Sequence, residues 1–255
     1  MRWIIAFLFV KRNKMIAILT DFGNSEYLGI MKGVIYSICQ NAKITDLYNN
    51  ITPQNIKEGA WILLNNYKFF PKNTIFLCVV DPGVGSERNS LAIKTKNYFF
   101  IGPDNGLMYL AITDDKIEKA VKLSEKGALL TFHGRDVFAK AAAMLENKKN
   151  IEELGEKTSI KEKLIFHLDK RNGEVVRIDC FGNIITNLPP LEAEEYEITS
   201  GKIKKRLRFY KTYADAPDNE LFLITGSNNT LEISIKNKKA NKKLRLKPGD
   251  KIEIR

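Results

Sequence analysis

The sequence is poor in the residues that build metal centres and disulfide frameworks. Its 255 residues include three cysteines, Cys39, Cys78 and Cys180, and two histidines, His133 and His167. The odd number of cysteines and the lack of a C-x-x-C pair argue against a disulfide framework and against a zinc site. We therefore expect a protein of the reducing cytoplasm and no His-rich metal centre.

Long apolar runs and phosphate-binding glycine motifs are missing as well. The apolar stretch 3–10 is too short to span a bilayer, and the basic run 11–14, rather than a small-residue cleavage site, follows it. We interpret residues 1–14 as an upstream extension and Met15 as the native start. Neither G-x-G-x-x-G nor a P-loop occurs, so a pyrophosphate cradle is not indicated.

Acidic residues are fewer than basic ones: the chain has 30 Asp and Glu and 41 Lys and Arg, which gives a formal charge of +11. A nucleic-acid partner would explain this balance. The basic clusters at 202–211 and 236–247, however, contain few aromatic side chains that could stack on bases. The composition is also typical of heat-adapted, archaeal-like proteins. We expect neither a nucleic-acid nor a membrane partner, and a basic nucleic-acid binder remains an alternative that salt-dependent retention on DNA would reveal.

Hydrophobic patterns divide the chain into two predicted domains. The first, 15–160, alternates strands and helices, which predicts an α/β domain with a mostly parallel sheet and helices on both faces. The second, 165–255, contains short alternating strands, which predicts a small all-β, barrel-like domain. The polar stretch 148–163 between them is interpreted as a linker or a surface helix. Within the first domain, the patterns predict strands at 15–20, 43–47 and 74–80, helices at 27–39, 55–67 and 137–145, and a hairpin-like pair over 90–101.

Two carboxylates follow predicted strands of the first domain. Asp21 ends the first strand, and Asp81 opens the run D-P-G-V-G-S-E-R at the end of a later one. Sheets of this kind bind ligands outside the carboxyl ends of their strands. Asp21 could accept hydrogen bonds from a ribose diol, and Arg88 could return toward Asp81 across the loop. An ordinary turn aspartate and a structural Asp–Arg pair are the alternatives.

Two further motifs lie on loops. His133 precedes a glycine in T-F-H-G-R-D-V-F, where a loop enters a helix, and Asp136 is interpreted as the cap of that helix. In the second domain, the run D-C-F-G-N holds Asp179, Phe181 and Asn183. This trio could take an amine, stack on a base and bond to its edge, although a plain β-turn is the alternative.

Six motifs in series support a more specific interpretation. They are LTDFG, VVDPGVGSER, GPDNGL, FHGRDVFA, DCFGN followed by TN, and GSNNTLEI, and they extend from Leu19 to about Ile233. Together they resemble the S-adenosylmethionine hydroxide adenosyltransferase family, which is related to the fluorinase and chlorinase enzymes. The resemblance implies a Rossmann-like N-terminal domain, a β-barrel C-terminal domain and a homotrimer with its sites between subunits. It also implies that water splits S-adenosyl-L-methionine into adenosine and L-methionine without a cofactor.

The resemblance also assigns roles to individual residues. The catalytic triad falls on Asp81, Arg88 and His133. The residues that bind the ribose are Asp21 and Phe22, and those that bind the adenine are Phe181, Asn183 and the backbone near Ala240. The residues that bind the methionine end are Asp179 and Ser227. Asn49 stands where the family often has histidine. The halide-using relatives carry an aromatic residue in place of Asp81, so this carboxylate favours water as the nucleophile. A halogenase and a non-catalytic adenosine or S-adenosylmethionine binder are the alternatives.

Overall fold

The fold was analysed in a computed structural model that describes residues 14–190 and 193–255. The expected extension at 1–14 lies, apart from Lys14, outside the described residues. The chain divides into two compact units, of which the first ends at Lys163 and the second begins at Leu164. None of the helices in the described ranges has the length and apolar character needed to cross a bilayer.

The first unit is built on a seven-stranded sheet with the order β2-β1-β3-β5-β4-β6-β7. Its strands are β1 (Met15–Thr20), β2 (Lys43–Tyr48), β3 (Ile75–Val79), β4 (Ser90–Thr95), β5 (Phe99–Pro103), β6 (Ile117–Leu123) and β7 (Gly155–Lys157). The first four strands in the sheet order are mutually parallel, whereas β4 and β5 form the predicted antiparallel pair. The expectation of an α/β sheet with mostly parallel strands is therefore confirmed.

Helices cover both faces of this sheet. They are α1 (Glu26–Ile38), α2 (Ile56–Asn66), α3 (Tyr109–Asp114) and α4 (Lys140–Glu146), which continues a π-helical segment, Gly134–Ala139. Strand β3 explains the two layers, because successive side chains point to opposite faces. Leu77 packs with Met31 of α1 in one apolar core, and Phe76 packs with Leu63 of α2 in the other.

The second unit is an antiparallel sheet with the order β11-β10-β14-β8-β9-β13-β12. Its elements are β8 (Asn172–Ile178), β9 (Ile184–Thr186), β10 (Glu195–Ser200), β11 (Ile203–Arg208), β12 (Leu221–Thr225), β13 (Leu231–Ile235), a short helix α5 (Ala240–Leu244) and β14 (Lys251–Ile254). A bridge between Phe209 and Leu223 brings the end of β11 to β12, so the sheet nearly closes around one core. The predicted barrel-like character is confirmed.

The stretch 148–163 is not the surface helix that its polarity suggested. It contains a single 3-10 turn, Ile151–Glu153, and then β7, which pairs with β6. Beyond β7, the backbone N–H groups of Lys161 and Glu162 donate to the buried carboxylate of Asp104. Backbone pairing therefore attaches this stretch to the first unit.

Candidate active site

The two carboxylates of the first unit emerge at the same edge of the sheet. Strands β1 and β3 are parallel neighbours, with Thr20 opposite Val79. Asp21 directly follows β1, and Asp81 comes two residues after β3. The sequence-based expectation that both lie at the carboxyl ends of the strands is met.

A cleft of about 630 Å³ opens at this edge, and Asp21, Phe22, Asp81 and His133 all contribute to its wall. The Asp21 carboxylate accepts a hydrogen bond from the backbone N–H of Gln54 at 2.8 Å. That bond fixes the carboxylate at the cleft.

Aromatic side chains form one side of the cleft. The rings of Phe22, Tyr27 and Phe132 pack against each other with centroids 5.1–5.9 Å apart, two of the three pairs being edge-to-face. This arrangement is favourable for quadrupolar rings. Phe22 therefore presents an apolar surface next to Asp21.

Of the three residues expected to form a catalytic triad, Arg88 forms hydrogen bonds with both of the others. Arg88 Nε lies 3.1 Å from Asp81 Oδ1, and Arg88 Nη2 lies 2.6 Å from Asp81 Oδ2. Arg88 Nη2 also lies 2.8 Å from His133 Nδ1. The side chains of Arg88 and Asp81 are 8% and 5% exposed, so solvent weakens this bidentate pair little.

Two residues that the sequence did not single out hold the other side of the guanidinium. Arg88 Nη1 donates to Ser90 Oγ at 2.9 Å and to Glu125 Oε1 at 3.2 Å, and Ser90 Oγ in turn donates to Glu125 Oε1 at 2.7 Å. All five N–H donors of Arg88 thus have acceptors. Ser90 begins β4 two residues after Arg88 and could have been suspected. Glu125 follows β6, a strand that the sequence did not predict, so no signal pointed to it.

The contact with Arg88 fixes the proton on His133. A guanidinium can only donate, so His133 Nδ1 must accept and the ring is neutral with its proton on Nε2. The residue is 1% exposed, and Nε2 is buried without a hydrogen-bond partner among the described residues. Because His133 lines the cleft, this N–H is a donor that a ligand oxygen can satisfy.

The loop after Asp81 packs against the loop that leads to His133. Gly85 has φ +78°, and a Cβ there would lie 2.5 Å from the carbonyl oxygen of Leu130. Glycine is therefore required at this position by both its backbone conformation and the close approach. The contact ties the Asp81–Arg88 loop to the histidine loop.

Asp136 does not cap the helix that follows, contrary to the expectation. The π-helical segment begins after His133, with no side-chain cap. Asp136 instead accepts from the backbone N–H of Leu129 at 3.1 Å and from Arg135 at two distances of 2.8 Å. These bonds, with that to Arg135 dominating, lower the pKa of Asp136 to about 2. The residue has a structural role, as expected, but it braces the loop 129–136.

The second unit contains a cavity of its own, of about 1060 Å³. Asp179, Phe181, Asn183 and Ser227, all expected to bind substrate, lie in its wall. Phe181 is 73% exposed, so its ring face is open to a ligand. The cavity therefore gathers four predicted residues from two separate motifs.

The D-C-F-G-N run is also a tight turn. Asp179 Oδ1 accepts from the backbone N–H groups of Phe181 at 3.0 Å and Asn183 at 2.8 Å, and Asp179 Oδ2 accepts from Asn183 Nδ2 at 2.9 Å. Asn183 Nδ2 also donates to the hydroxyl of Tyr213 at 3.2 Å. The run therefore forms the turn that the sequence allowed, and its binding role stays a prediction.

Comparison with known proteins agrees with the order of these motifs. The models of the N-terminal and C-terminal SAM hydroxide adenosyltransferase domains match residues 16–155 and 173–253. The chain belongs to the SAM hydroxide adenosyltransferase family.

Named proteins and solved structures are similar to nearly the whole chain. The (R)-S-adenosyl-L-methionine hydrolase of Methanocaldococcus jannaschii is 37% identical, covering 94% of this chain and 95% of its own. The hydrolase of the same name from Thermus thermophilus is 31% identical, with 92% and 97% covered. A solved structure of an uncharacterized conserved protein from Thermotoga maritima has a TM-score of 0.88 and 32% identity, with 94% and 100% covered.

One departure from the family pattern has a clear structural role. Asn49, where the SAM hydroxide adenosyltransferases often have histidine, is buried and accepts from the hydroxyl of Thr20 at 3.0 Å through Oδ1. Its backbone carbonyl accepts from the N–H of Gly23 at 2.7 Å. Asn49 therefore holds the turn that carries Asp21.

The other departure concerns the tail of this family member. Ala240 is fully buried in the core of the second unit, whereas Lys238 and Lys239 line the cavity. The backbone contact expected near Ala240 stays a prediction.

The three cysteines are free thiols, and the described residues contain no group of three or more His, Cys, Asp or Glu that could hold a metal ion.

Proposed function

We propose that the protein hydrolyses S-adenosyl-L-methionine to adenosine and L-methionine. The observation that carries the proposal is that Arg88 forms hydrogen bonds with both Asp81 and His133, which line a cleft that also presents Asp21. Relatives that bear this activity in their names, at up to 37% identity, support it.

The reaction is an in-line displacement. The oxygen of water or hydroxide forms a bond to C5′, the C5′–S bond breaks with its electron pair moving to sulfur, and the water loses a proton. Sulfur leaves as the neutral thioether of methionine, so no acid is needed at the leaving group. The protein has to supply an aligned nucleophile and an acceptor for one proton.

The hydrogen bonds of the cluster suggest how these tasks are divided. His133 carries its proton on Nε2, which can donate to the nucleophile, and its Nδ1 is occupied by Arg88. Arg88 uses all its donors to hold its neighbours. Asp81 is then the group of the triad that can orient the water and accept its proton.

The remaining assignments follow from the resemblance and from the cavity walls. We assign the ribose to Asp21 with Phe22 beside it, the adenine to Phe181, Asn183 and the backbone near Ala240, and the methionine end to Asp179 and Ser227. A Rossmann-like first unit, a homotrimer with sites between subunits and a cytoplasmic location are part of the same proposal.

A halogenase is the main alternative within this family. A carboxylate at the nucleophile site repels halide but can accept a proton from water, so Asp81 disfavours it. A non-catalytic binder of adenosine or S-adenosylmethionine is the second alternative and would hold its ligand without turnover.

The test is incubation of the purified protein with S-adenosyl-L-methionine, with products separated by chromatography. We expect equal amounts of adenosine and methionine, and Asp81→Ala should lower kcat by about 10²–10⁴-fold. Asp46→Asn, which breaks an exposed pair with Lys32, is the matched control and should retain the wild-type rate. Formation of 5′-chloro-5′-deoxyadenosine with added chloride would identify a halogenase, and intact ligand would identify a binder. An unchanged rate in Asp81→Ala would refute the role of the triad.

A further inference from the structure

One of the six sequence motifs, GPDNGL, has no role in the proposed reaction. It covers residues 102–107, which end β5 and form the turn after it. The wall of the cleft, as the described residues form it, includes neither Asp104 nor Asn105. Both side chains nevertheless form hydrogen bonds with distant parts of the chain. The bond of Asn105 leads to the loop that carries Asp81.

Asn105 binds the backbone directly before Asp81. Its Nδ2 donates to the carbonyl oxygen of Val80 at 2.8 Å. Val80 lies beyond the paired part of β3, because the pairing with β1 ends at Val79 and the pairing with β5 ends at Leu77. A buried carbonyl needs a donor, and Val80 is fully buried. The side chain of Asn105 therefore supports the chain where the support of the sheet has ended.

The orientation of this amide is fixed from its other end. Asn105 Oδ1 accepts from the backbone N–H of Leu107 at 3.2 Å, so Nδ2 is the atom that faces Val80. Leu107 is 1% exposed and packs with Val80 in the same apolar core. Gly106, with φ +91°, allows the turn between the two bonded groups. Asn105 is thus held where it can donate to Val80.

The neighbouring residue binds the other end of the same loop. The backbone N–H of Asp104 donates at 2.9 Å to the carbonyl oxygen of Asn89, which follows Arg88. The backbone bonds inside the loop 81–88 join residues only three positions apart, so they form local turns. Residues 104 and 105 therefore hold the two ends of the loop that places Asp81 against Arg88.

We propose that Asn105 is a positioning residue of the reaction, which holds the backbone at Val80 so that the Asp81 carboxylate faces the nucleophile. This inference rests on the proposed function, in which Asp81 orients the water and accepts its proton. Arg88 fixes the side chain of Asp81, and the bond at Val80 fixes the backbone next to it. In-line attack depends on alignment, so a small displacement of the carboxylate lowers the rate without changing what the cleft binds.

The experiment is steady-state kinetics of full-length variants with S-adenosyl-L-methionine at about pH 8. Asn105→Ala removes the donor to Val80 without adding charge, and Asn105→Asp lacks the donor but keeps the acceptor for Leu107. We expect kcat to fall by about 10–100-fold in both variants, with KM within about twofold. A fall in only one variant would overturn the inference, because the cause would then be the added charge or the bond with Leu107.

Asn66→Asp is the matched control for stability. Asn66 Nδ2 donates to the carbonyl oxygen of Ile62 at 2.8 Å, which is the same kind of bond within α2, and Asn66 lies outside the described wall of the cleft. This variant should lose a comparable amount of thermal stability and keep the wild-type kcat. An equal fall of kcat in Asn66→Asp would mean that activity follows stability, and the positioning role would be wrong.

A second background tests whether Asn105 acts through Asp81. The Asp81→Ala variant has no carboxylate left to position, so adding Asn105→Ala should change its residual rate by less than about twofold. Multiplication of the two losses in the double variant would contradict the inference. An active wild type with fully active Asn105 variants would overturn the inference alone. A wild type that does not hydrolyse S-adenosyl-L-methionine would instead overturn the proposed function and this inference with it.

Discussion

Arg88 connects the charged groups of the candidate active site. Its guanidinium bonds to Asp81 on one side, to Ser90 and Glu125 on the other, and to His133 through Nη2. Its Cζ also lies 5.5 Å from the centre of the Phe138 ring. A planar group with five fixed donors suits this position, which a lysine could not fill. The geometry of Asp81 and His133 thus depends on groups that never need to contact substrate.

The first prediction concerns Glu125, which we regard as a positioning residue. Glu125→Gln keeps an acceptor for Arg88 and Ser90 but loses the charge-assisted part of the bond. We expect kcat to fall by roughly tenfold, equivalent to about 1.4 kcal/mol, with KM within about twofold. Steady-state kinetics with S-adenosyl-L-methionine would measure both constants.

The matched control for Glu125 is Glu118→Gln. Glu118 pairs with Lys94 at 3.4 Å on an exposed part of β6, so its loss should leave kcat unchanged. A rise in KM at constant kcat in Glu125→Gln would contradict the positioning role. A loss of thermal stability comparable with the loss of activity would point to a structural role instead.

At the level of elements, the contact between two loops sets the position of His133. The second prediction is that Gly85→Ala lowers both stability and activity, because the Cβ would collide with the carbonyl of Leu130 at a positive φ. We expect about 1–3 kcal/mol of destabilisation and a lower kcat. Denaturant unfolding and steady-state kinetics would measure the two effects.

Gly83→Ala tests the same loop without the collision. The nearest atom to its Cβ would be the hydroxyl of Ser86 at 3.3 Å, and its φ is not positive. This variant should remain close to wild type in both measurements. If both glycine variants behaved alike, the contact between Gly85 and Leu130 would not be what positions the histidine loop.

Periodicity predicted the elements that carry strong patterns. Strand β3 is buried on both faces, and its apolar run ends in proline and glycine, so its position was clear from the sequence. Helix α3 is only six residues long, and β6 begins with exposed residues at 117–119. Such short or half-polar elements form because neighbouring strands and helices pack or pair with them, and the local sequence pattern does not contain these long-range contacts.

The same distinction applies to the candidate site. Asp81 and Arg88 belong to one short motif, and their contact across the loop was predictable. Glu125 meets Arg88 across a separation of 37 residues, so only the folded chain brings it to the site. Asp136 was misjudged because its residue type suits a cap, whereas Arg135 and Leu129 compete for its carboxylate.

At the level of the whole molecule, stability depends on carboxylates that the fold buries. Glu146, the last residue of α4, is 5% exposed, and its Oε2 has no hydrogen-bond partner among the described residues. Burial raises its pKa to about 7, although Lys14, Lys43 and Lys148 oppose the increase. Between about pH 4.5 and pH 7, the carboxyl group of Glu146 is therefore protonated in the folded state and ionised in the unfolded state.

The third prediction follows from the sign of this difference. Well below pH 4.5 the carboxyl group is protonated in both states, so it adds no pH dependence to the free energy of unfolding. As the pH rises to about 7, the unfolded state is increasingly favoured. We expect the free energy of unfolding to fall by about 1–3 kcal/mol from this residue between pH 5 and pH 8, measured by denaturant unfolding. Glu146→Gln should remove that contribution and be relatively more stable at pH 8.

The control for Glu146 is a carboxylate with the opposite shift. Glu152 is exposed, and its pKa is lowered chiefly by a hydrogen bond from Lys119, so its contribution to stability is complete at pH 5 and is lost only at lower pH. Glu152→Gln should therefore leave the difference in stability between pH 5 and pH 8 unchanged. A Glu146→Gln variant that keeps the wild-type dependence of stability on pH would show that Glu146 is ionised in the folded state at pH 5. In that case the lysines near the end of α4 outweigh the effect of burial.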